Sequence, residues 1–101
     1  MNKPVFLLVE ATPNIEEQES MMSYLSKAPI VTKEHGGVTV ATYDVEKSLN
    51  ENDNATIYSI ISFPNQQEIK ALFNSPAYKA LVAERDRGFS YLRYHIVNER
   101  I

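Results

Sequence analysis

Four stretches of the chain carry the spacing of apolar side chains that is typical of β-strands. Residues 4–10 (PVFLLVE) are apolar on both alternating sides, as in a strand that is buried on both faces. Residues 38–44 (VTVATYD), 56–63 (TIYSIISF) and 90–98 (SYLRYHIVN) alternate with a period of two. The pattern predicts four strands, of which the first is covered on both sides.

A first helix is predicted between the first two strands, beginning at about residue 15. Met21 and Leu25 recur at helical spacing, and Asn14 is placed to cap the helix. Pro29 lacks a backbone N–H, so we expect it to kink or restart the helix. Gly36 can adopt the left-handed backbone conformation that commonly ends a helix.

A second helix is predicted after the third strand, with a break in its middle. Asn65 is placed as an N-cap, with Glu68 three residues on to complete a capping box. Ser75 is a second cap, and Pro76 suits the first position of the helix that restarts there. Gly88 can then end this helix in the left-handed conformation.

The resulting order of elements is β-α-β-β-α-β. With right-handed crossovers this order predicts a ferredoxin-like α+β fold, in which a four-stranded antiparallel sheet carries two broken helices on one face. The segment 45–55, between the second and third strands, is polar and longer than a tight hairpin needs. We expect it to be a mobile loop.

The side of the sheet opposite the helices, here called the open face, is predicted to be too apolar to face water. The strand alternation places Phe6, Leu8, Ile60 and Val97 on it. Exposed apolar surface costs roughly 25 cal/mol per Å², and such patches mark interfaces or ligand sites. The pattern therefore predicts a homodimer formed sheet to sheet.

Composition narrows the class of protein. A chain of 101 residues with 44% hydrophobic residues predicts a single domain, 1–101. The net charge is −3 and no basic stripe occurs, so nucleic acid is not expected as a partner. The absence of cysteine and the presence of only two histidines argue against a metal or cofactor site. Without an apolar run of about 18 residues or a signal peptide, we expect a cytoplasmic protein that does not contact membranes.

Several short motifs together resemble a known family. They are Tyr24-Leu25 and Ala28-Pro29 ahead of Glu34-His35-Gly36-Gly37, then Phe63-Pro64, then Phe73-Asn74-Ser75-Pro76-Ala77-Tyr78 with Leu81 and Arg85. Over roughly the whole domain the chain resembles the domain-of-unknown-function family 1330, within the dimeric α/β-barrel superfamily. The resemblance implies a ferredoxin-like homodimer whose two sheets close into a barrel around a pocket. Relatives in that superfamily include cofactor-free monooxygenases, haem-degrading enzymes and lactone isomerases.

Four polar side chains of the open face are candidates for chemistry in such a pocket. His95 suits acid/base catalysis, Arg93 anion binding and Tyr58 hydrogen bonding, and with Glu10 they suit a small carboxylate or phenolic ligand. The alternative is that Arg93 pairs with Glu10, and that His95 hydrogen-bonds a neighbour, inside a dimer interface. The sequence contains no Gly-rich phosphate loop, nucleophile elbow or metal-ligand spacing.

Three further side chains are candidate ligand-binding residues. Tyr43 could line the mouth of a barrel, although polarity at a strand end explains it equally well. His35 could reach a pocket rim, although a helix C-terminus also favours its charge. Tyr78 could bind a ligand, although a core tyrosine with a hydrogen-bonded hydroxyl is more common.

Two classes of function remain open from the sequence. One is an enzyme that needs no cofactor, of the monooxygenase or isomerase type, and the other is a non-catalytic dimer that binds a ligand or serves a structural role. The sequence does not identify the ligand, the reaction or whether the protein is an enzyme.

Overall fold

The computed structural model describes residues 3–100 of the chain. The elements are β1 (Val5–Pro13), α1 (Gln18–Glu34), β2 (Val38–Asp44), β3 (Ile57–Phe63), α2 (Gln66–Asn74), α3 (Pro76–Lys79), α4 (Val82–Gly88) and β4 (Phe89–Val97). The strands pair antiparallel in the order β2-β3-β1-β4, which confirms the ferredoxin-like α+β fold. None of the helices in this range is long and apolar enough to span a membrane.

The core lies between the sheet and the helices, as the strand alternation predicts. Leu7 of β1 and Phe63 of β3 are 3% and 1% exposed. They pack with Ile69 and Leu72 of α2 and with Tyr24 of α1 in one apolar cluster. Because successive side chains of a strand point to opposite faces, the other half of each strand lies on the open face.

The predicted helix caps at Asn65 and Ser75 are confirmed. The Asn65 side chain accepts a hydrogen bond from the Glu68 N–H at 2.9 Å, and the Ser75 hydroxyl accepts one from the Tyr78 N–H at 3.1 Å. Asn14 caps a short 3₁₀ turn that leads into α1. The sequence predicted one continuous helix after Ser75. The structure has two helices there, α3 and α4.

Pro29 and Gly88 differ from expectation. Helix α1 continues through Pro29, so the predicted restart is wrong, whereas the predicted kink stays a prediction. Leu25, whose carbonyl loses its helical partner, is 49% exposed. Gly88 does not adopt a positive φ, which belongs instead to Gly36. At Gly88 the reason for glycine is close packing, because a Cβ there would lie 2.7 Å from the Cα of Met21 in α1.

The segment 45–56 is anchored at its base and exposed at its tip. The Val45 N–H donates to the Thr56 carbonyl at 2.8 Å, and the Asp53 side chain accepts from the Ala55 N–H at 3.0 Å. Ala55 is buried, whereas Leu49 at the tip is 89% exposed. The mobility of this loop stays a prediction.

Candidate functional site

A cleft of about 340 Å³ lies between the sheet and the helices. All four strands form its floor, and α1, α2 and α3 cover it. Most of its lining is apolar, including Val9, Leu25, Ala28, Ile57, Ile61 and Leu92. This size and lining are typical of small-molecule sites. The cleft is on the helix side of the sheet, whereas the sequence placed the candidate pocket at the open face.

Hydroxyl groups lie across the floor of the cleft in a row set by the strand register. Val9 of β1 pairs with Tyr94 of β4 and with Ser59 of β3, which in turn pairs with Thr42 of β2. The hydroxyls of Thr42 and Ser59 are 3.0 Å apart. Since neighbouring strands are about 4.8 Å apart, the backbones of Thr42 and Tyr94 are about 14 Å apart. Thr42 is exposed, so the cleft opens beside β2.

At the β4 end of the cleft, three phenol hydroxyls meet; we call Tyr24, Tyr78 and Tyr94 the tyrosine cluster. The Tyr24 and Tyr78 oxygens are 2.8 Å apart, those of Tyr78 and Tyr94 3.1 Å, and those of Tyr24 and Tyr94 3.3 Å. All three side chains line the cleft. Three hydroxyls supply three hydrogens, so a closed ring can satisfy every member.

Packing of the rings fixes the positions of these hydroxyls. Tyr24 meets the rings of Tyr78 and Phe89 edge-on, with centroids 6.2 Å and 5.8 Å away. Phe73 stands between Tyr78 and Tyr94, with both centroids at 4.9 Å. Edge-to-face contacts of this kind hold aromatic side chains in defined orientations. The cluster is thus assembled from α1, α3 and β4.

Arg85 of α4 lies behind the tyrosine cluster, outside the lining of the cleft. Its Nη1 donates to the Tyr78 hydroxyl at 3.2 Å, and its guanidinium carbon is 5.7 Å from the centre of the Tyr78 ring. Its Nε donates to Asp86 at 3.1 Å. The Arg85 guanidinium therefore contacts one member of the cluster and lies outside the cleft.

Burial raises the pKa values of two phenols of the tyrosine cluster, Tyr24 and Tyr94. Burial first, and then the neighbouring phenols, raises the pKa of Tyr24 well above its ordinary value of 10.0. Burial also raises the pKa of Tyr94, with Tyr78 adding to the effect and Arg85 opposing it. Both phenols remain protonated at neutral pH and can donate hydrogen bonds.

Sequence reasoning singled out Tyr78 and Arg85 and placed Tyr94 on the helix-facing side, but it did not predict the cluster. The available signal was that Tyr24, Tyr78 and Tyr94 all occupy core-facing positions of their elements. A buried hydroxyl requires a hydrogen-bond partner. The sequence therefore indicated that these hydroxyls need partners, but it did not indicate which groups the partners are.

The structure does bring Glu10, Tyr58 and His95 together on the open face. His95 Nε2 lies 2.7 Å from Glu10 Oε2, and Tyr58 pairs with Glu10 in the strand register. The Tyr58 hydroxyl donates to Asp53 at 3.5 Å. Burial, followed by the Asp53 and Glu10 carboxylates, raises the pKa of Tyr58. This group is separate from the cleft, and its catalytic role stays a prediction.

Arg93 does not join this group. It pairs with Glu10 in the register, but its guanidinium carbon lies 4.7 Å from the centre of the Tyr91 ring, and its Nη1 donates to the Leu92 carbonyl at 2.9 Å. The expected pair between Arg93 and Glu10 is therefore wrong. Glu10 binds His95 instead, because the longer reach of Arg93 lets it stack on an aromatic ring.

Of the two remaining candidates, Tyr43 borders the open-face group and His35 lies apart from both groups. Tyr43 is 58% exposed on β2, paired with Tyr58 in the register. His35 follows the last residue of α1, with Nδ1 4.0 Å from Glu68 Oε1. Of the predicted site residues only Tyr78 lines the cleft. Within residues 3–100, no group of three His, Cys, Asp or Glu side chains is placed to hold a metal ion.

The chain belongs to the family Domain of unknown function (DUF1330), whose model matches residues 4–99. This match confirms the resemblance found in the sequence motifs. A comparison with curated proteins gives no match.

Three solved structures illustrate the fold. A protein of unknown function from Rhodopseudomonas palustris is 15% identical, covering 100% of this chain and 85% of its own, with a TM-score of 0.84. A candidate antibiotic biosynthesis monooxygenase from Nitrosomonas europaea is 9% identical, with coverages of 98% and 92% and a TM-score of 0.67. A dimeric ferredoxin-like protein of unknown function from Bacteroides fragilis is 13% identical, with coverages of 98% and 100% and a TM-score of 0.60. At these identities the likeness establishes the fold.

Proposed function

We propose that this protein binds a small, largely apolar molecule in the cleft between the sheet and the helices. The observation that carries the proposal is a mostly apolar cleft whose floor carries hydroxyl side chains at both ends, Thr42 and Ser59 at one and Tyr94 at the other. A ligand with an apolar middle and a polar group at each end matches this arrangement. The volume of about 340 Å³ suits a molecule of two or three fused rings.

We further propose that the protein acts on this ligand as a cofactor-independent monooxygenase or isomerase. The class of reaction rests on the resemblance to the superfamily and on the fold shared with the Nitrosomonas europaea protein. The tyrosine cluster suits such chemistry, because fixed hydroxyl donors stabilise negative charge that develops on a substrate oxygen. Tyr24 and Tyr94, which stay protonated, would supply those donors.

A non-catalytic ligand-binding protein is the alternative, and one observation favours it. Among the described residues that line the cleft there is no carboxylate, histidine or lysine. A general base must lie within hydrogen-bond reach of the proton that it removes. An enzyme using this cleft would thus take its base from the substrate or from water.

The assembly that we propose is a homodimer through the open face. Phe6, Leu8, Ile60 and Val97 lie on that face, and the helices pack on the other. The Bacteroides fragilis protein, which shares the fold, is dimeric. Sedimentation at micromolar concentration tests the proposal, with a well-folded monomer as the result against it.

Ligand binding is tested by thermal shift with ring compounds such as naphthol and naphthoquinone. A ligand that binds only the folded state raises the melting temperature, and the free energy of stabilisation grows with the logarithm of one plus the ratio of free ligand concentration to Kd. Ala28→Phe should fill the cleft and remove the shift, whereas Ala83→Phe, on the exposed side of α4, should retain it. Oxygen uptake or isomer formation from a bound compound separates the enzyme from the binding protein. If no compound shifts the melting temperature, the cleft is not the site.

A further inference from the structure

Arg85 fixes the direction of one hydrogen bond at the tyrosine cluster. A guanidinium can only donate, so the Tyr78 oxygen accepts from Arg85 Nη1 at 3.2 Å. The hydrogen of Tyr78 is then free to go to its nearest neighbour, the Tyr24 oxygen at 2.8 Å. Hydrogen bonds in a chain polarise one another in the same direction. With Tyr78 donating across this shortest contact, the chain runs from Arg85 through Tyr78 to Tyr24.

The hydrogen of Tyr24 lies at the end of this chain and has a weak partner. Its remaining neighbour within the cluster is the Tyr94 oxygen at 3.3 Å. O–H···O hydrogen bonds usually measure about 2.5–3.0 Å, so this contact is long. Tyr24 lines the cleft, and burial raises its pKa, so the hydrogen remains on the oxygen. A ligand can take it at small cost to the cluster.

We propose that the ligand presents a carbonyl oxygen, as in a ketone or quinone, to the Tyr24 hydroxyl, and that Arg85 is a positioning residue that strengthens this donor through Tyr78. The inference rests on the proposed binding function of the cleft and specifies the chemistry of one end of its ligand. A carbonyl is an acceptor without a hydrogen of its own, which matches a site whose free capacity is a polarised donor. Polarising a carbonyl also acidifies the adjacent C–H, which suits an isomerase.

The charge of Arg85 reaches the ligand only through hydroxyls. Asp86, which accepts from Arg85 Nε, is exposed, and water screens it more than it screens the largely buried guanidinium. The Arg85 side chain is 20% exposed and that of Asp86 is 62% exposed. Arg85 can thus polarise the cluster despite its salt bridge.

The test uses three probes with one carbon skeleton: fluorenone carries a carbonyl, fluorenol a hydroxyl and fluorene neither. In the wild-type protein we expect fluorenone to bind most tightly, with its infrared carbonyl stretch shifted to lower frequency than in an apolar solvent. Tyr24→Phe keeps the ring and removes the donor. It should abolish this frequency shift and weaken fluorenone binding roughly fivefold, with fluorene binding unchanged.

Arg85→Met keeps the apolar stem and removes the donor to Tyr78. It should reduce the frequency shift of bound fluorenone without changing fluorene binding, a combination that mere loss of packing would not give. Arg85→Lys should restore part of the shift. Arg87→Met, on the same helix but bound to Ser20 at 3.2 Å, is the matched control and should behave as wild type.

Three results overturn the inference, and each has a different meaning. If fluorene and fluorenone bind equally and the carbonyl stretch is unshifted, the cleft binds ligands but not through this donor. If Tyr94→Phe removes the shift more completely than Tyr24→Phe, the donor is misassigned. If none of the three probes binds, the proposed binding function fails, and the inference fails with it.

Discussion

At the scale of single residues, Ser75 joins two helices with one hydroxyl. Its oxygen accepts from the Tyr78 N–H at 3.1 Å, which caps α3, and its hydrogen goes to the Leu72 carbonyl at 2.7 Å, near the end of α2. The sequence predicted the first bond, because capping depends on residues three apart. The second bond adds to the one that the Leu72 carbonyl, near the helix C-terminus, already accepts from the Ser75 N–H at 3.2 Å.

Ser75→Ala should lower the free energy of unfolding by about 1–2 kcal/mol, since both bonds are lost. Ser75→Thr keeps a donor and an acceptor and should retain most of the stability. Ser75→Asp can accept from Tyr78 but cannot donate to Leu72, so we expect only partial rescue. Urea denaturation of the three variants measures this. Equal stability of the Asp and Thr variants would show that the second bond contributes nothing.

The buried phenols should make the fold sensitive to alkali. The folded pKa values of Tyr24 and Tyr94 exceed the ordinary value of 10.0, so the folded state holds these protons more tightly than the unfolded state. Their contribution to stability is complete below about pH 10 and is lost as the pH rises through the folded pKa. Melting temperatures measured across this range should fall. The double variant Tyr24→Phe and Tyr94→Phe should flatten the fall, and an unchanged slope would contradict the assignment.

The caps were predictable from the sequence, whereas the tyrosine cluster was not, for one physical reason. A cap is decided by neighbours within one turn, as at Asn65 and Ser75. The cluster needs α1, α3 and β4 to meet, and no local pattern encodes the distances between Tyr24, Tyr78 and Tyr94. Their core-facing positions could be read from the periodicity of each helix or strand, but their mutual contact could not.

At the scale of elements, the roles of Gly88 and Pro29 were also predicted from local sequence alone. Both were interpreted by their effect on their own backbone, as a helix end and as a helix break. The structure shows that Gly88 matters for the approach of α4 to α1, where its missing Cβ leaves room for the Met21 backbone. Pro29 is tolerated because α1 is exposed at Leu25. At Gly88, therefore, packing between elements overrode local propensity.

Glu84 of α4 binds two side chains of α1, and its lowered pKa makes this contact sensitive to acid. Its carboxylate accepts from the Ser23 hydroxyl at 2.9 Å and pairs with Lys27 at 3.2 Å. The Ser23 hydrogen bond, followed by that from Lys27, lowers the pKa of Glu84 below its ordinary value of 4.5. The stability that it supplies is present above that value and is lost as the pH falls through the folded pKa.

Glu84→Gln should therefore reduce the loss of stability between about pH 5 and pH 3. The amide can still accept from Ser23 but does not titrate, so the acid limb of the urea midpoint against pH should flatten. Glu51→Gln, in the exposed loop, is the matched control and should leave the acid limb unchanged. An identical acid limb in both variants would show that Glu84 does not contribute to it.

At the scale of the whole molecule, the two faces of the sheet carry separate candidate sites. The helix side holds the cleft and the tyrosine cluster, and the open face holds an apolar patch beside Glu10, Tyr58 and His95. The sequence predicted the character of the open face well, because alternation along a strand fixes which side a residue takes. It could not predict the cleft, because a cavity is the space that imperfectly fitting elements leave between them.

The proposed dimer predicts that a charge at the centre of the open face separates the subunits without unfolding them. Leu8 pairs with Ile60 on one side and with His95 on the other, away from the helix-side core. Leu8→Lys would bury an unpaired ammonium in each subunit of a sheet-to-sheet dimer, so the dissociation constant should rise at least about 30-fold.

Leu49→Lys is the matched control, since the same change is made at a side chain that is 89% exposed in the loop. It should leave sedimentation unchanged. Circular dichroism should show that both variants keep the fold, because neither position belongs to the core. A Leu8→Lys protein that still sediments as a dimer would place the interface elsewhere on the molecule. The cleft lies on the other side of the sheet, so a monomeric Leu8→Lys variant should still bind the ring compounds that stabilise the wild type.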